Sequence, residues 1–181
     1  TQIAKSCIGT RTAFFLEIDF IDFKLVNRFY GIEKGNALLS ALENLSKSIP
    51  EIVLGQRIFS DQVIFLVLTK EPRTDEEIVS SYEFYANRFL AEQQAKYPAC
   101  NLKLCCGICP IFSNNILEAI DNAALARKEA HKKNISNAVI FTEQMIEDLQ
   151  ERQRLERETS LALHEKRFLF YLQPKIDLTS G

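Results

Sequence analysis

What most restricts the fold of this chain is the order in which two hydrophobic periodicities follow one another between Thr12 and Cys109. The stretch TAFFLEIDF, Thr12 to Phe20, is a mostly apolar run that reads as a buried strand ending in Asp19. In GIEKGNALLSALENLSKSI, Gly31 to Ile49, the residues Leu38, Leu39, Leu42 and Leu45 recur at helical spacing. IVLGQRIF and VIFLVLT are two strand-like runs joined at Ser60-Asp61, a hairpin with a lone carboxylate at its tip. Thr74 and Glu77 open TDEEIVSSYEFYANRFLAEQQAKY with a capping-box pattern, and that helix should stop before Pro98. NLKLCCGIC is the next strand. Strand, helix, strand, strand, helix, strand is the split βαβ order. A further helix, SNNILEAIDNAALARKEAHKK with Ser113 or Asn114 as its cap, and a short strand, NAVIF, extend it. The expected class is α+β. A ferredoxin-like βαββαβ core gains one more helix and strand, and helices flank a central mixed or antiparallel sheet.

The 181 residues are 46% hydrophobic, enough for one domain with a substantial core. A net charge of −2 supplies no basic field, so no nucleic-acid partner is expected. No apolar run approaches the roughly 20 residues of a membrane span, and no signal peptide opens the chain. The cysteines are five, an odd number, and Cys105, Cys106 and Cys109 crowd one stretch. They read as small apolar residues of a buried strand. Adjacent positions there face opposite ways, and His131 and His164 look isolated in the sequence. A reducing, cytoplasmic setting suits them.

After Phe141 the character changes. TEQMIEDLQERQRLERETSLALHEKR is highly charged, with Met145, Leu149 and Leu155 at roughly helical spacing. RFLFYLQPKIDLTSG then restarts a strand pattern. The expected division is a folded domain over 1–141, a helical connector over 142–165, and the first strand of a truncated second domain over 166–181.

The region IDFKLVNRFYGIEKGNALL resembles the segment after the first strand of GGDEF domains, the diguanylate cyclases of bacterial cyclic-di-GMP signalling. It matches through Phe23, Lys24, Asn27, Tyr30, Gly31, Gly35 and Leu38. RIFSDQVIFLV falls on the signature hairpin, with Phe59, Ser60, Asp61, Gln62 and Val63 in the five signature positions. FLFYLQPKIDLTSG resembles the start of an EAL domain, the cyclic-di-GMP phosphodiesterase often fused behind GGDEF. The resemblance implies GTP with magnesium as the ligand, the C-terminal EAL domain as a partner, and two facing domains, hence a homodimer. It assigns metal binding to Asp19 and Asp61. It assigns nucleotide contacts to Asn27, Asn36 and Lys24, and to the basic pair Lys128 and Lys132.

The departures from the pattern carry the functional reading. Gln62 stands where the signature has an acid; an amide neither ionises nor accepts a proton, and it is a poor ligand for a hard cation. Phe59 and Ser60 replace glycines that would let phosphates approach the backbone. Asn36 replaces an acid that can accept from both guanine edge donors. The expected function is a degenerate, non-catalytic regulatory GGDEF domain modulating an EAL phosphodiesterase and binding GTP, with no catalytic residues of its own. Two alternatives stand beside it: an active diguanylate cyclase with an unusual metal site, and a purely structural dimerisation module.

Overall fold

A computed structural model describes residues 12–59, 61–112, 115–169 and 171–173. The chain divides into two compact units, residues 1–142 and 143–181. In the first unit the strands are β1 (Ala13–Phe20), β2 (Ile52–Phe59), β3 (Gln62–Leu68), β4 (Leu104–Pro110) and β5 (Asn137–Ile140). The helices are α1 (Phe23–Tyr30), α2 (Ile32–Glu43), α3 (Asp75–Gln94) and α4 (Ile116–Lys132). The sheet order is β2-β3-β1-β4-β5, with β4 and β5 parallel and the other neighbours antiparallel. This is the expected mixed sheet: the ferredoxin-like core plus one helix and one strand.

Every position of β1 is buried, because both faces of the sheet are covered. Phe14, Leu16, Ile18 and Phe20 point into the larger core, with Leu38, Leu39 and Leu42 of α2 and Ile78, Tyr82 and Phe89 of α3. Ala13 and Phe15 face the other way, with Ile64, Leu66, Cys109 and the alanines Ala119 and Ala123 of α4. Fully burying one such Phe or Leu stabilises by about 1.5–3 kcal/mol. By strand alternation Glu17 and Asp19 share the α4 side with Ala13 and Phe15. The cysteines of β4 are buried as small apolar residues, Cys105 beside Ala130, Cys106 in the larger core and Cys109 against α4.

Three local features differ from the sequence expectation. The helix expected from Gly31 to Ile49 is preceded by a separate helix, α1, which ends where Gly31 adopts φ 83° and donates its amide to the Asn27 carbonyl. Past Glu43 the chain tightens into a 3₁₀ turn over Asn44–Lys47, with the Leu45 carbonyl accepting from Ser48 and Ile49. The cap of α4 is Asn115, whose side chain accepts from the Glu118 amide at 3.3 Å; Ser113 and Asn114 lie outside the described residues. The capping box at Thr74 and Glu77 is formed with both reciprocal bonds, and α3 ends at Gln94, ahead of Pro98.

The second unit contains α5 (Glu143–His164), a 22-residue helix with no buried residue. Its surface is laced by pairs such as Arg154 with Glu151 at i,i−3. The strand expected to open at residue 166 is not formed among the described residues: 167–169 and 171–173 are neither helix nor strand, and Leu169, Tyr171 and Leu172 are exposed. A strand requires a ladder partner, and these residues have none in the sheet order. Phe170 and residues 174–181 of that expected strand lie outside the described residues.

Candidate functional site

The site is built by a helix that approaches the sheet unusually closely. A Cβ at Gly107 of β4 would fall 2.0 Å from the Ala123 carbonyl oxygen and 2.2 Å from the Arg127 nitrogen, both backbone atoms of α4. Only a glycine leaves room for that contact, and Ala119, Ala123, Ala126 and Ala130 keep the facing side of the helix small. At this distance the Arg127 side chain reaches β1.

Arg127 donates from Nε to Glu17 Oε1 and from Nη1 to Asp19 Oδ2, each at 2.7 Å. The three side chains are 8%, 3% and 9% exposed, so the bonds lie in a low-dielectric setting. Two carboxylates face one guanidinium. Asp19 Oδ1 receives no hydrogen bond although it is buried. The Asp61 carboxyl lies against that of Asp19. Burial first, and the Asp61 charge second, raise the Asp19 carboxyl to about 6, while Arg127 pulls it down in part. The register explains the meeting: Asp19 pairs with Gln62 across β1 and β3, one residue beyond Asp61 at the hairpin tip.

On the other side of Asp19, β1 pairs it with Cys105 of β4. The Cys105 thiol donates to the Asp19 carbonyl at 3.7 Å. Burial, and then the Asp19 charge, push that thiol up to about 12. His131 follows Arg127 by one helical turn and brings its ring to the same cluster. One donor atom each from Asp19, Cys105 and His131 lie within 4.8 Å of one another. His131 is therefore not isolated, contrary to the sequence expectation.

The remaining expected residues are dispersed. Asn36 accepts from Arg57 Nη1 at 3.0 Å, so its amide oxygen is already engaged by β2. Asn27 packs against Gly35, where a Cβ would lie 2.0 Å from Asn27 Oδ1, and that oxygen is buried without a hydrogen-bond partner. Lys24 and Lys128 are exposed, and Lys132 pairs with Glu129 on its own helix. Phe59 stands 72% exposed at the hairpin tip, Val63 is fully buried, Gln62 is half-buried, and Ser60 lies outside the described residues. Sequence reading missed Glu17, Arg127, Cys105 and His131. The available signal was Arg127 falling in the alanine row of α4, four residues after Ala123 and one after Ala126.

Magnesium with GTP finds fewer free carboxylate oxygens here than the resemblance implies. A hard cation of that size requires an octahedron of oxygens. Here Asp19 Oδ2 is held by Arg127, and the groups near the Asp19 carboxyl include a thiol and an imidazole. Gln62 offers an uncharged amide in place of a further carboxylate.

No family model matches the sequence, and no curated protein does. Solved structures do. The active GGEEF domain of a diguanylate cyclase from Vibrio cholerae is 20% identical, with TM-score 0.58 over 72% of this chain and 83% of that one. The GGDEF-only fragment of Pseudomonas aeruginosa TpbB is 17% identical, with TM-score 0.61 over 82% and 88%. An EAL/GGDEF domain protein from M. capsulatus is 17% identical, with TM-score 0.53 over 78% and 93%. Among the described residues no helix is long and apolar enough to cross a membrane. At these identities the likeness establishes architecture: the chain has the five-stranded, helix-flanked fold of GGDEF cyclase domains.

Proposed function

We propose that this chain is a regulatory GGDEF-type domain of a cyclic-di-GMP signalling protein, one that has given up synthesis and acts on an EAL phosphodiesterase domain. The observation that carries this reading is the ion pair of Arg127 with Asp19 at 2.7 Å. A carboxylate that serves phosphoryl transfer holds a hard divalent cation against the phosphates, and an oxygen given to another partner weakens that hold. Here an internal guanidinium occupies one of its oxygens, and Glu17 on the same strand holds the rest of that guanidinium. The exposed Phe59 ring and the Gln62 amide at the hairpin add to the argument, since neither a close phosphate approach nor a second acid is provided there. Asn36, bonded to Arg57, would have to leave that partner to read a guanine edge.

The test is product analysis. The purified chain is incubated with GTP and magnesium or manganese, and cyclic-di-GMP is sought by chromatography. The expected result is none above a protein-free control, for the wild type and for Gln62→Glu. Turnover by the wild type overturns the reading and favours the active-cyclase alternative. An assay of an attached EAL domain with and without this chain then separates regulation from a purely structural role.

A further inference from the structure

The cluster around Asp19 brings softer donors beside its carboxyls. We propose that Asp19, Cys105 and His131, with Asp61 as fourth donor, form a binding site for a borderline dication of the zinc class.

The donor set is one thiol, one imidazole and two carboxyls, which is what tetrahedral zinc-class sites are made from. Three backbone elements converge to make it: β1 supplies Asp19, β4 supplies Cys105 directly across the ladder, and α4 supplies His131 from above. The donor atoms of Asp19, Cys105 and His131 already lie within 4.8 Å of one another. Bonds of about 2.0–2.3 Å in a tetrahedron put ligand atoms about 3.4 Å apart, so closure requires movements of roughly 1 Å. Asp19 Oδ1 is the second, independent sign. Its side chain is 9% exposed, and this oxygen is buried with no neighbour able to donate other than the Asp61 carboxyl. A buried acceptor without a donor is costly unless something positive reaches it. Asp61, which already touches the Asp19 carboxyl, is half-exposed, and His131 is exposed, so an ion can reach the site from solvent.

Charge points the same way. Glu17, Asp19 and Asp61 set three carboxyls against the single guanidinium of Arg127. Binding releases the Cys105 thiol proton to solvent, the sulfur becoming the thiolate ligand. Arg127 keeps Asp19 Oδ2 in the bound form and so acts as the positioning group that turns Oδ1 toward the metal.

Cobalt(II) is the probe, because thiolate ligation gives it a charge-transfer band and tetrahedral geometry gives it intense visible bands. Titrating the metal-free 181-residue chain should produce both, saturating at one equivalent. Zinc should abolish the bands, and a hundredfold excess of magnesium should leave them. Cys105→Ala should remove the charge-transfer band. His131→Ala, on an exposed position that does not endanger folding, should weaken cobalt binding at least tenfold. Absence of the bands in the folded wild type overturns the site. So do bands that survive both substitutions, which would mean ligation by other cysteines. None of these outcomes depends on whether the chain makes cyclic-di-GMP.

Discussion

Removing Arg127 is the perturbation the structure speaks to most strongly. In Arg127→Ala, Glu17 and Asp19 lose their common counter-charge while staying on a strand where their side chains are 3% and 9% exposed. Breaking a buried ion pair by deleting one partner costs about 3–5 kcal/mol, out of a total stability of about 5–15 kcal/mol. For a unit of this size that corresponds to a fall in Tm of roughly 10–20 °C. The effect should depend on pH in a stated direction. Asp19 titrates at about 6 in the folded chain against an ordinary 3.8, so between these values the folded state holds more protons than the unfolded. Its contribution is complete below pH 3.8 and is lost as pH rises through about 6. Without Arg127, whose charge lowers that value, the Asp19 carboxyl moves higher still and its ionisation costs more. The gap between wild type and variant should therefore be widest near pH 8 and narrow toward pH 4. Urea denaturation followed by circular dichroism at the two pH values measures it. A loss below about 1 kcal/mol, or a gap that does not change with pH, would mean that water screens the pair and that Asp19 is open to other ligands.

Three further perturbations follow from the same geometry. Asp61→Asn removes the second cause of the raised Asp19 carboxyl, so carbon-detected NMR should find Asp19 titrating below the wild-type value of about 6; an unmoved titration would separate the two residues. Gly107→Ala places a methyl 2.0 Å from the Ala123 carbonyl oxygen and should cost about 3 kcal/mol or more in a denaturant melt; a neutral substitution would contradict the close approach of α4. Thr74→Ala removes the hydroxyl that accepts from the Glu77 amide and should cost about 1 kcal/mol by the same melt, with no change above 0.3 kcal/mol counting against the capping box.

The architecture was readable because β1, the hairpin and α3 each carry a strong local signal. β1 is buried throughout and mostly apolar since it is covered on both faces, the hairpin runs flank a two-residue join, and α3 opens on a reciprocal cap. The break between α1 and α2 was harder to read, because it depends on the left-handed backbone of Gly31 rather than on any change in hydrophobic spacing. The pairing of Asp19 with Asp61 at neighbouring strand ends was readable from the split βαβ order. Arg127 was not, because an arginine in an amphipathic helix ordinarily points to water. What turns it inward is the glycine at position 107, twenty residues earlier on another element. His131 and Cys105 were hidden for a related reason. His131 looks solitary in the sequence and Cys105 reads as one of several small apolar residues of a strand, and they meet only once α4 lies across β1 and β4.

Arg127 is the counter-charge that Asp19 meets inside the fold, in the place a hard divalent cation would take. Manganese(II) is such a cation, is weakly held by mixed nitrogen and sulfur donors, and its free form is counted directly by electron paramagnetic resonance. Manganese is titrated into the chain with GTP present, for the wild type and for Asp19→Asn. With Arg127 as that counter-charge, the two proteins should deplete the free-ion signal equally. A stoichiometric depletion by the wild type that Asp19→Asn abolishes would show that Asp19 holds the cation after all, and would contradict that role for Arg127.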